Sequence, residues 1–365
     1  MEYFNKYVSN TYCGSANQHI FKLDDGQVSI GRVFYKISVG GKYEYSFLFS
    51  NIIDSTYGDG SECHKNYVCD SWKIHSVKVA RCTRGYKRAA DEVGKIEGFK
   101  QVLFDGKAER IVRPGEFFCT DGIELEFDKG DYICLEFTFE GKEIPYHEET
   151  IASCYVKCDD GTWVESNKLP FVGMLGCNRI VKHKVAYLGD SITQGIGTPV
   201  DSYAHWNAVL SDLLGDEYAF WNLGIGFARA DDAATDGAWL FKVKQNDVAV
   251  VCMGVNDLLQ GFNAEQIKKS LTTIVKKLNS AGVRVVLQTV PPFDYNENVK
   301  KHWLEVNDYI KTVLSNEVEA VFDTVPFLGK EDQPQIAIYG GHPGMDGCEV
   351  WGKELYPLMK DVLSK

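Results

Sequence analysis

No run of apolar residues in this 365-residue chain approaches the roughly 18 or more that a membrane-spanning helix requires. The N-terminal stretch MEYFNKYVSNTYCG has no basic region leading into an apolar one, so no signal peptide is expected. Basic residues are in the minority: 39 Lys and Arg face 51 Asp and Glu, a net charge of −12. Long-range attraction to DNA, RNA or anionic lipid is therefore disfavoured, and neither a nucleic acid nor a membrane is expected as a partner. Internal repeats and low-complexity tracts are missing. The eleven cysteines are odd in number and scattered, and several, such as Cys134 and Cys252, sit inside apolar strand-like runs. Cysteines of that kind behave as small buried hydrophobes and point to a reducing, cytoplasmic location. Cys63-His64 with Cys69, and Cys154 with Cys158, match no common zinc spacing, so no metal is expected.

What is present falls into two halves with different periods, as the length also suggests. Residues 1–178 carry short alternating or apolar runs, among them 27–30, 43–49, 74–79, 123–127 and 132–139, punctuated by Gly40-Gly41, Asp121-Gly122 and Lys129-Gly130. Many short strands with such turns predict an all-β sandwich or jelly roll. Over 183–365 the pattern alternates strand-like runs at 184–189, 247–253, 283–290 and 319–323 with helix-period segments near 202–214, 264–280, 299–315 and 347–363. In the second of these, Ile267, Leu271, Ile274, Val275 and Leu278 form one apolar stripe and Gly282 marks the stop. Strand–helix alternation predicts an α/β unit with a doubly wound parallel sheet. The sequence places the linker within 170–183, although Phe171, Val172, Met174 and Leu175 set it apart from a flexible Gly/Ser tether.

Four segments of the second half carry candidate chemistry. An apolar run, Val185-Ala186-Tyr187-Leu188, ends in Gly189-Asp190-Ser191. A serine there sits at the carboxyl end of a parallel strand, where open α/β sheets place their ligands. It is either a helix cap or a nucleophile whose own backbone N–H faces a developing anion. Asn222-Leu223-Gly224-Ile225-Gly226-Phe227 follows a second strand. Gly254-Val255-Asn256-Asp257 ends a third, and a carboxamide such as Asn256 donates N–H to an oxyanion without carrying charge. Gly341-His342-Pro343 precedes the last amphipathic segment. No Gly-x-Ser-x-Gly elbow offers a competing nucleophile.

In this order the four segments resemble the SGNH (GDSL-type) hydrolase family over roughly residues 183–365. The likeness implies a flavodoxin-like doubly wound sheet and ester hydrolysis without a cofactor. It implies Ser191 as nucleophile, His342 as general base, and Ser191 N–H and Asn256 in the oxyanion hole. Softer likeness between residues 113–139 and the β-sandwich ahead of some SGNH esterases adds an accessory domain. Asp257 is read as structural. The aromatic residues Trp206, Trp221, Trp239, Trp303 and Trp351 are read mainly as core, with one or two available to stack on a sugar.

Two positions depart from the family pattern. The second-block glycine lies five residues after the strand Asn, which here is Phe227, with Gly226 one earlier; both stay open as the backbone oxyanion donor. The acid three residues before the base is replaced by Tyr339, which carries no charge at neutral pH. Three arrangements remain: a main-chain carbonyl orienting a Ser–His dyad, Asp346 or Asp332 as a substitute acid, or a disabled site. The expected activity is deacetylation of a carbohydrate ester. Its alternatives are a broad short-chain esterase or lipase and an inactive glycan-binding protein.

Overall fold

A computed structural model describes residues 1–56, 64–86 and 89–365; Cys63 lies outside the described residues. The chain divides into two compact units, one holding the residues up to Ile180 together with Val200–Ser202, the other Val181–Pro199 and Tyr203–Lys365. Residues 200–202 cluster with the first unit because Asp201 is tied to it. The Asp201 carboxylate accepts the Ser153 N–H at 3.0 Å, its own N–H donates to Ile151 O at 2.8 Å, and its carbonyl accepts the Tyr132 hydroxyl at 3.2 Å.

The first unit is built of antiparallel sheets. In one, Met174–Cys177 pairs with both Val8–Ser9 and Gly41–Ser50, and the latter also pairs with Phe117–Cys119 and Ile123–Phe127. The other sheet centres on Ser29–Lys36, Tyr132–Glu140 and Trp72–Cys82. Phe49 of the first meets Phe137 of the second edge to face, with ring centroids 6.1 Å apart. The segment read as linker therefore contributes a strand: Met174, Leu175 and Cys177 are buried, and their apolar surface is better spent in a sheet than in a tether.

Elements of the second unit are numbered from its first strand. Its parallel sheet comprises β1 (His183–Gly189), β2 (Tyr218–Gly224), β3 (Val248–Cys252), β4 (Arg284–Gln288) and β5 (Ala320–Phe322), in the spatial order β2-β1-β3-β4-β5. This is the flavodoxin-like order, whose switch point lies between β1 and β3. Val185–Leu188 of β1 and all of β3 are buried, as expected for central parallel strands covered on both faces. The helices are α1 (Ser191–Gln194), α2 (Trp206–Leu214), α3 (Ala230–Ala234), α4 (Ala238–Val243), α5 (Val255–Leu259), α6 (Ala264–Ser280), α7 (Glu297–Thr312), α8 (Val325–Leu328) and α9 (Gly344–Ser364). In α6 the predicted stripe of Ile267, Leu271, Ile274, Val275 and Leu278 is buried. Asn263 caps its start in a reciprocal pair with Gln266, satisfying two otherwise orphaned donors.

All five tryptophans singled out above are interior, none more than 2% exposed. Trp206 and Trp351 stack with centroids 5.2 Å apart, and Trp303 and Trp351 spend their indole N–H on Val290 O and Gln288. The expectation that one or two of them stack on a sugar is thereby corrected, since a ring with both faces packed offers no platform.

Candidate active site

The sheet register brings the site together. Gly189 at the end of β1 lies beside Gly224 of β2 and Cys252 of β3, so the loops after these three strands emerge side by side at the carboxyl edge. A Cβ on Gly189 would fall 1.9 Å from Thr193 Oγ1, and one on Gly224 would fall 2.2 Å from Gln194 N. Only glycine at both strand ends lets α1 settle directly on them. Asp190 starts that short helix: its carboxylate accepts the Ile192 N–H at 3.0 Å, and Gly195 at φ 117° ends it.

Ser191 and His342, 151 residues apart in sequence, meet here, with Oγ and Nε2 separated by 2.8 Å. His342 comes just before α9. The Phe293 ring stands edge-on to the imidazole at 5.5 Å, and the Gly197 backbone lies so close that a Cβ there would sit 3.0 Å from His342 Cβ. Burial lowers the pKa of His342 from its ordinary value. Its Nδ1 has no hydrogen-bond partner among the described residues, neither a carboxylate nor a main-chain carbonyl. Asp346, in the first turn of α9, and Asp332 are both exposed, and neither bonds the imidazole. Tyr339 folds over the first turn of α9, where a Cβ on Gly347 would lie 2.8 Å from the Tyr339 Cβ. The geometry therefore supplies neither of the expected orienting groups for the ring.

After β2 the chain turns tightly. Ile225 N–H donates to Gly189 O at 3.1 Å, and Ala228 N–H closes the turn on Ile225 O at 3.3 Å. Phe227, third in this turn, takes φ 61°, a left-handed value that glycine adopts most readily. Gly226, the other expected donor, gives its N–H to Gln194 Oε1 at 2.5 Å. The N–H groups of Ser191 and Phe227 have no partner among the described residues.

The loop after β3 clamps this turn. Asn256 Nδ2 donates to Ala228 O at 3.0 Å, which leaves its second N–H unspent. Asp257 accepts the N–H of Ala230 at 2.8 Å and of Asp231 at 3.3 Å, capping α3. Its carboxylate is thereby spent on the start of α3. Burial pushes the Asp190 carboxyl up to about 7; the Ile192 N–H works against this and the nearby Asp257 adds to it. Burial likewise raises Asp257 to about 6, against its two backbone donors. Among the described residues no three His, Cys, Asp or Glu side chains are grouped as a metal ion would need.

Sequence reasoning missed Gln194, Gly197 and Phe293. The spacing of Gln194 from Ser191, three residues along one helical turn, was a usable signal. Nothing in the sequence marks Phe293.

A serine hydroxyl paired with an imidazole at the carboxyl edge of a doubly wound sheet, with unspent N–H groups on the same loops, has the make-up that acyl transfer requires. The model of the GDSL-like Lipase/Acylhydrolase family matches residues 187–350 of this chain, the stretch that holds the serine, the turn after β2 and the histidine. Among solved structures it is similar to the psychrotrophic esterase EstA from Pseudoalteromonas sp. at 19% identity and TM-score 0.41, over 50% of this chain and 99% of that one. A carbohydrate acetylesterase family member from Sinorhizobium meliloti gives 16% identity and TM-score 0.41, over 50% and 99%. A carbohydrate esterase family 3 protein from Talaromyces cellulolyticus gives 19% identity and TM-score 0.39, over 51% and 99%. Comparison with curated proteins found no match.

Proposed function

We propose that the protein hydrolyses acetyl esters of carbohydrates through an acyl-enzyme on Ser191. The observation that carries this reading is the 2.8 Å contact between Ser191 Oγ and His342 Nε2. His342 takes the hydroxyl proton as Oγ attacks the ester carbonyl, then returns it to the departing alcohol oxygen. Water, deprotonated by the same Nε2, cleaves the acyl-enzyme and releases the acid. The oxyanion is met by the Ser191 N–H, the Phe227 N–H and the second N–H of Asn256 Nδ2. For Nε2 to accept, the neutral ring carries its proton on Nδ1, which faces no acceptor among the described residues. The site therefore works as a Ser–His dyad, with less stabilisation of imidazolium than a carboxylate would give. An attached antiparallel β unit favours a small acyl group on a large polar alcohol.

A chromogenic acetate ester and an acetylated oligosaccharide test this. Turnover of both that is lost in Ser191→Ala is the expected result. A second reading rests on the unpartnered Nδ1: the dyad is inert and the protein only binds glycan. Equal rates in the native protein and Ser191→Ala, with retained binding of the oligosaccharide, would establish that reading instead.

A further inference from the structure

Phe227 is out of place twice over. Its backbone takes φ 61° at a turn position suited to glycine, and an aromatic side chain rarely adopts such a value. Its ring is 37% exposed and forms no aromatic pair among the described residues, whereas most large apolar side chains of this unit are interior. Aromatic pairing therefore does not secure the conformation. The turn is held from outside instead, by Gln194 on the Gly226 N–H, by Asn256 on the Ala228 carbonyl and by Asp257 on the α3 start. Residues kept in an unfavourable conformation by their surroundings concentrate at functional sites.

We propose that the Phe227 ring closes the acyl side of the site and restricts the enzyme to short acyl groups such as acetyl. This rests on the hydrolase reading above and goes beyond it by naming the residue that sets acyl length. The reasoning is geometric. A tetrahedral intermediate on Ser191 carries four groups: Oγ, the oxyanion, the departing alcohol oxygen and the acyl chain. The alcohol oxygen must approach His342 Nε2, which returns the proton to it. The oxyanion points to the Phe227 N–H, about 3 Å away in such sites. The acyl chain takes the direction that remains, away from His342. The Phe227 ring hangs from the same Cα as that donor, so its centre lies roughly 5 Å from the N–H by ordinary bond lengths. At that distance it is within reach of the first few carbons of the chain, and the clamped turn fixes the Cα from which it hangs.

The test is the ratio of kcat/KM for p-nitrophenyl octanoate to that for the acetate, in the native protein, Phe227→Gly and Phe227→Ala. A ratio cancels any change in oxyanion stabilisation common to both substrates. The native ratio is expected to be below one-tenth, and Phe227→Gly should raise it at least tenfold, with Phe227→Ala also above native. Glycine suits the local φ, so this variant should keep its fold. Ser191-dependent turnover with a ratio within twofold of native in both variants would overturn this inference alone. Absence of Ser191-dependent turnover on every ester would overturn the hydrolase reading, and this inference with it.

Discussion

Asn256 donates from Nδ2 to the carbonyl oxygen of Ala228 at 3.0 Å, so a residue after β3 fastens the turn after β2. In the proposed mechanism its second N–H meets the oxyanion. Removing a single oxyanion donor costs roughly 100- to 1000-fold in turnover. Asn256→Ala should lose at least that much kcat with its far-UV spectrum unchanged. Asn256→Asp, which cannot donate when ionised, should fall as far. A loss below tenfold in both, measured on a chromogenic acetate, would leave Asn256 as a turn residue only.

The pH dependence follows from the imidazole. Burial disfavours the charged ring, so His342 stays neutral to lower pH than an exposed histidine. kcat/KM should rise with pH along an acid limb whose midpoint lies below 6.5, the usual histidine value. A hidden carboxylate partner would favour the imidazolium and shift the limb upward. A midpoint above 7 would therefore reveal an acid that the structure does not place beside the ring.

Asp346 and Asp332 are exposed and do not bond His342. Asp346→Asn and Asp332→Asn should each keep most activity. Neutralising the acid of a working triad lowers kcat by about 10⁴-fold. A fall of that size in either variant would make that acid the third member.

Asp190 titrates in the opposite direction to a salt-bridged carboxylate. Its folded value of about 7 lies above the unfolded one, so the fold prefers the protonated form. The ionised group begins to destabilise the protein above its ordinary pKa of 3.8, and the full cost is present once pH exceeds about 7. Asp190→Asn keeps an acceptor for the Ile192 N–H and removes the charge. Its melting temperature relative to the native protein should be more favourable at pH 8.5 than at pH 5. An equal difference at both pH values would mean that Asp190 is ionised throughout that range.

Much of the second unit was legible because it depends on local pattern. The α6 stripe, its stop at Gly282 and the buried runs of β1 and β3 are periodicities that report which face is covered. The first unit reads as β structure for the same reason, yet within it Met174–Cys177 shows no such pattern and reads as linker. A four-residue strand with a glycine in it is too short to show a period. Its identity comes from pairing with Gly41–Ser50, far away in the chain.

The sequence by itself determined which residues carry the candidate chemistry and in what order, since Gly-Asp-Ser, Gly-x-Asn-Asp and Gly-His-Pro are local strings whose meaning survives without coordinates. It left open whether Gly226 or Phe227 faces the oxyanion, and what orients His342. Tertiary structure shows which of these groups already has a partner. Gln194 reaches across from α1 to occupy the Gly226 N–H, leaving that of Phe227 unspent, and the ring of His342 stands edge-on to Phe293 with Nδ1 unpartnered among the described residues. Hydrogen bonds and packing between loops of different strands depend on where those strands end in space, and chain order does not encode that distance.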